Sequence, residues 1–203
     1  MTALRFFGTG IVAVLVLGFL SPPVSATWKV MDGGQKADVA KEKMSVTPKQ
    51  DWNRSSQRPS PYGELWTLDG FSLNELSFFA AIPSGKAIYY NYQTKNRPLP
   101  KFKSKMLLTD LAELFESTNR IVLQTSLFDV SSVEPTKLAG HDAVRFQYEY
   151  AVQGDELKRN GEAVAAIING KLYLVNFVAP AIHYFDRDIV KVRALIDTIE
   201  IAN

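Results

Sequence analysis

Cysteine is absent from all 203 residues of the chain. That absence excludes disulfides, thiol catalysis and thiolate metal sites together. Histidine is nearly absent as well. His141 and His183 are the only side chains whose ordinary pKa would let them act as bases near neutrality. Neither sign of charge dominates, with 23 Lys and Arg against 21 Asp and Glu. The balance gives no reason to invoke nucleic acid or an acidic substrate. No repeat of fixed period is visible. Pro83-Ser84-Gly85-Lys86 lacks both the leading Gly and the following hydroxyl of a phosphate loop. No Gly-x-Ser-x-Gly nucleophile setting occurs either. No metal, cofactor or catalytic constellation is therefore expected.

Residues 1–26 have the order of a secretory signal peptide. Arg5 supplies a positive start, Phe6 to Leu20 an apolar run, and Val24 and Ala26 the small residues of a cleavage site. The run is shorter than the roughly 20 residues that span a bilayer. Cleavage would leave Thr27 as the mature N-terminus of a secreted, periplasmic-type protein. The expected organisation is a signal at 1–26, a loosely structured segment at 27–62, and one α+β domain at 63–203. The first of the mature segments is polar and punctuated by Gly33-Gly34, Pro48, Pro59 and Pro61.

The stretch from Gly161 to Ile201 organises the domain. Two apolar runs, Ala163–Ile168 and Leu172–Ala179, meet at Asn169-Gly170, a pair that tolerates the positive φ of a two-residue hairpin turn. Both runs are apolar on both faces apart from Asn176, so both faces require cover. Phe185, Ile189, Val192 and Ile196 then recur at helical spacing, with Asp186 and Asp188 in the first turn suiting the helix dipole. Thr198–Ile201 reads as a last strand. Upstream, Asp69-Gly70 marks a second hairpin, and the pattern slips within Phe71–Ile82, where a bulge or helical turn is expected. A helix is expected over Thr109–Thr118, capped by Thr109, and a strand over Ile121–Val130. Val144, Phe146, Tyr148 and Tyr150 alternate with polar residues as a half-buried strand. The sum is an antiparallel meander packed by two helices, an α/β/α sandwich-like arrangement.

The run Gly170-Lys171-Leu172-Tyr173-Leu174-Val175-Asn176-Phe177, then Ala179-Pro180, then a helix from Phe185 ending in Asp197-Thr198-Ile199-Glu200-Ile201, resembles the PsbP-like group of secreted α/β/α sandwich proteins. The resemblance covers the part from Thr109 onward. It implies a non-catalytic binding or assembly role, with no family binding residue carried over.

Two surfaces are candidates for contact. Trp66, Phe78 and Tyr90 belong to an aromatic cluster that could line a pocket for an apolar ligand or a lipid; core packing is the competing reading. Lys101, Lys103 and Lys105 lie in a basic, proline-punctuated run that could meet an envelope protein or an anionic membrane surface; a merely solvated loop is the alternative. A hydrolase would have to use His183, near Asp186, with a nucleophile that the sequence does not identify.

Overall fold

A computed structural model describes residues 27–90, 97–152, 154–155 and 157–202. The targeting segment expected at 1–26 lies outside the described residues. The order is β1 (Trp28–Met31), β2 (Ala37–Val39), β3 (Met44–Val46), β4 (Trp52–Ser55), β5 (Gly63–Thr67) and β6 (Glu75–Ile82). There follow α1 (Asp110–Val122), β7 (Phe128–Leu138), β8 (His141–Tyr150), β9 (Arg159–Ile168), β10 (Lys171–Pro180), α2 (Tyr184–Ile196) and β11 (Glu200–Ile201). Eight strands form one antiparallel sheet in the order β1-β4-β5-β6-β10-β9-β8-β7, and β11-β3-β2 form a small second sheet. Two meanders, β4-β5-β6 and β7-β8-β9-β10, are thus joined along β6 and β10.

The expected α+β sandwich is what forms. The Asn169-Gly170 turn has φ of 50° and 72°, as a two-residue hairpin requires. Side chains of β9 and β10 alternate between two cores. Val164, Ala166, Val175 and Phe177 meet α2 and the small sheet, while Ala163, Ala165, Leu172 and Leu174 meet α1. This two-sided burial explains why neither run alternates in polarity. The α1 stripe of Leu111, Ala112, Leu114, Phe115, Thr118 and Asn119 is buried at helical spacing. A fully buried Leu or Phe there contributes about 1.5–3 kcal/mol over an exposed one.

Several expectations are corrected. Residues 27–62 are not loosely structured. They carry four strands: β1 and β4 extend the main sheet and β2 and β3 build the small one. Their strands are only three or four residues long, too short to show a period. The helix expected to end at Thr118 runs to Val122, and the strand expected from Ile121 begins at Phe128. Pro135 inside β7 is tolerated because β7 is an edge strand. Thr109 is helical and makes no side-chain cap; Asp110 instead accepts from the Leu107 N–H at 2.8 Å. The β6 slip has two causes. Phe78 and Phe79 are buried on opposite faces, and a bulge opposite Tyr173 lets Phe79 pair with Leu174 and Ile82 with Leu172. Ala81 takes up the bulge at φ 56°.

Candidate binding site

The helix α1 packs mainly over β7 and β8. The rest of that face, over β5, β6 and β10, is covered by the segment after β6, which sends Ile88 and Phe102 into the same core. Between this cover and the C-terminal turn of α1 a cavity of about 230 Å³ remains. Its walls include Glu75, Tyr89, Asn119, Tyr148, Tyr150 and Asn176.

Strand register places these groups. On β8, Tyr148 and Tyr150 point to the α1 face with Phe146. Tyr148 pairs with Gly161 on β9, and a Cβ at position 161 would overlap the tyrosine ring. The ring therefore lies across a strand that offers no side chain there. Its hydroxyl reaches the next strand and donates to Asn176 Oδ1 at 2.6 Å. Asn176 Nδ2 in turn donates to Ser77 Oγ at 3.3 Å, and Ser77 is its register partner on β6. Gly63 plays the same part on β5: a Cβ there would sit 2.9 Å from Phe79 Cε1. Phe79 meets Tyr89 edge-on at 5.2 Å, and Phe128 stacks on Tyr148 at 4.7 Å.

Glu75 begins β6 opposite Val178 and lines the cavity. It keeps partial access to solvent through that space. Removal from bulk water nevertheless pushes its carboxyl up to about 7. Burial, reinforced by Glu75 and Tyr150, pushes the Tyr89 phenol well up against a hydrogen bond with Asn119. Burial also raises Tyr148 and, against the charge of Arg159, takes Tyr150 to about 12. The three phenols are neutral hydroxyls at physiological pH, so among the described wall residues the Glu75 carboxyl is the group whose value lies near that range.

The sequence-derived candidates lie elsewhere. Trp66 and Phe78 are fully buried on the α2 face, edge to face at 5.1 Å. The Trp66 Nε1–H donates to Glu64 Oε1 at 2.8 Å. Tyr90 is 39% exposed in the segment after β6; its backbone N–H donates to the Pro59 carbonyl. The three are not brought together, because β6 sends Phe78 to the face away from that segment. Lys101, Lys103 and Lys105 are all exposed, on a stretch pinned by Phe102. That phenylalanine is fully buried, and its backbone pairs with Gly85 and Lys86 at 2.8 and 2.9 Å. His183 is an exposed residue at the start of α2, its ring against Tyr184. Among the described residues it has no hydrogen bond to Asp186.

The functional groups that sequence reasoning missed left a signal. Glu75, Ser77 and Asn176 are polar interruptions of otherwise apolar strands, and Ser77 and Asn176 prove to be register partners. A second cavity of about 350 Å³ lies between His141, Tyr173 and the C-terminal strand. His141 and Glu200 there are exposed, so no charge is held out of water. Among the described residues, no three of His, Asp and Glu gather about a possible metal position.

The fold is PsbP-like, an antiparallel sheet with one helix packed on each face. The solution structure of cyanobacterial PsbP (CyanoP) from Synechocystis sp. PCC 6803 is similar over 92% of this chain and 99% of that one, with a TM-score of 0.54 and 15% identity. At that identity the likeness is one of fold, and it extends well upstream of the part whose sequence carries the resemblance. A Bacteroides thetaiotaomicron protein is similar over 85% of this chain and 50% of its own, at TM-score 0.49 and 13% identity. LpqN of Mycobacterium tuberculosis, a protein involved in cell envelope biogenesis, is similar over 91% and 88%, at TM-score 0.34 and 11% identity. No protein-family profile and no curated protein matches the chain.

Proposed function

We propose that this protein is a non-catalytic binding module of an extracytoplasmic compartment, and that the cavity beside α1 receives a small ligand. The observation that carries the reading is the cavity itself, with aromatic walls and a few convergent polar groups held by a rigid sheet. The signal-like order of residues 1–26 supports the location. The resemblance to PsbP-like proteins supports binding or assembly over turnover. At about 230 Å³ the space is below the ~300–1,000 Å³ of drug-sized sites, which favours a small molecule over a whole lipid. His183, exposed and without its carboxylate partner, gives the hydrolase alternative little support.

Lys101, Lys103 and Lys105 are proposed as the contact to an anionic envelope surface, because the buried Phe102 between them holds their backbone in place. The test of the main reading is native mass spectrometry of gently purified residues 27–203, beside a Leu65→Trp protein whose added ring fills the cavity. A small molecule carried by the first and missing from the folded second is the expected result. Equal ligand content in both would reject the cavity as the site.

A further inference from the structure

Among the described residues three acidic side chains are buried, and each has a cationic partner, while Glu75 is half-buried in the cavity wall. Glu64 meets Arg54 at 2.8 Å, Glu162 meets Arg193 and Arg145, and Asp188 meets Arg187 and Lys191. Glu75 is the exception. Among the described residues no Lys, Arg or His lines its cavity, and no hydrogen-bond donor reaches its carboxylate. The groups that face it are Tyr89 from the segment after β6, Tyr148 and Tyr150 from β8, Asn119 from α1 and Asn176 from β10. Arg159 and Asp155 lie beyond, acting on Tyr150. Asn176 Oδ1 is taken by Tyr148 and Asn119 Nδ2 by the Phe115 carbonyl. Both asparagine side chains of the walls thus already have partners, and the carboxylate is left over.

An unpaired carboxylate in such surroundings is costly unless a cation joins it. Three tyrosine rings line the same cavity, and aromatic rings beside a carboxylate are surroundings that attract an organic cation. Resting on the binding reading above, we infer that the cavity holds a small alkylammonium group, its N–H donors on Glu75 and its hydrocarbon against Tyr89, Tyr148 and Tyr150. The same chemistry is offered by a free amine and by the amino headgroup of a lipid. A cavity this size takes either the whole of the first or the head of the second.

Calorimetric titration of residues 27–203 at pH 8 with n-butylammonium, 1-pentanol and butyrate tests this. The expected order is butylammonium at least tenfold tighter than pentanol, with butyrate not bound. Binding should weaken between pH 8 and pH 6 as Glu75 takes up a proton. A Glu75→Gln protein, checked for folding by circular dichroism, should bind butylammonium and pentanol alike. Equal binding of the two by the natural protein would overturn the cation while leaving the cavity a binding site. No binding of any probe would overturn both, and Leu65→Trp should abolish whatever binding is seen. Flotation with phosphatidylethanolamine vesicles against phosphatidylglycerol vesicles separates the sources. Retention on the former that free butylammonium removes assigns a headgroup, and no preference assigns a free amine.

Discussion

Tyr148 can span three strands only because position 161 carries no side chain. Gly161→Ala would drive a methyl into the ring and force it off Asn176. Overpacking of this kind costs about 1–3 kcal/mol, and the stranded buried acceptor adds to it. A urea melt of Gly161→Ala should show that loss together with a weaker site, whereas unchanged stability would mean that the ring has another place to lie. Glu75 makes a different prediction. Its carboxyl is raised in the folded protein, so the folded state holds a proton that the unfolded chain releases near its ordinary value of 4.5. Stability is therefore greatest from this group below 4.5 and is lost as pH rises through about 7. The full shift would amount to at most about 3 kcal/mol, less what its solvent access removes. Glu75→Gln should flatten the fall in stability between pH 5 and pH 8; a variant with the same fall would place the titrating group elsewhere.

At the scale of elements, α2 is fixed by charge as well as by its apolar stripe. Asp188 lies at its buried face with no solvent exposure, bonded by Arg187 and Lys191. Burial opposes its ionisation, yet those hydrogen bonds outweigh burial and hold the carboxyl below its ordinary value. The same balance holds for Glu162, where burial is overcome by Arg193 and Gln147. Both groups add stability above the ordinary carboxylate range and lose it as pH falls through their lowered values. Asp188→Asn should then cost roughly 1.5–3 kcal/mol at pH 7, the value of hydrogen bonds to a charged group, and much less at pH 3. An equal cost at both would point to packing alone. In the sequence Asp188 reads as a dipole residue, because nothing in a single helix reveals Asn74 and Asp69 from a distant turn approaching it and Arg187. The apolar stripe of the same helix was legible in full, since it depends only on spacing.

The whole molecule depends on the segment expected to be loosely structured. Residues 27–62 supply Val39, Met44, Val46 and Trp52 to the core over Trp66 and Phe78. They also supply Arg54 and the Ala40 N–H to the buried Glu64. A chain of residues 63–203 would bare both aromatic rings and leave Glu64 without its nearest cation, a loss of about 3–5 kcal/mol for the charge alone if it stayed buried. We expect that fragment to aggregate; a monomer with a cooperative melt would show the segment to be an accessory. The C-terminal strand closes the same layer, with Glu200 and Ile201 pairing with Ser45 and Met44 from near the other end of the described chain.

Local chemistry accounts for what the sequence determined unaided. The hairpin turn at Asn169-Gly170, the faces of two helices and the two-sided apolar strands follow from φ preferences and periods that need only near neighbours, whereas at Asp69-Gly70 the strands stand further apart, joined through residues 68–74. The α+β sandwich follows from their order. Tertiary structure decided which polar residues meet: Ser77 with Asn176, Tyr148 with Asn176 across Gly161, and Glu75 with no cation among the described residues. It also parted Trp66 and Phe78 from Tyr90. Such meetings depend on the register of strands up to 99 residues apart, and on which face an inserted bulge turns toward a helix. No local preference encodes either, so the site became visible only when the sheet was assembled.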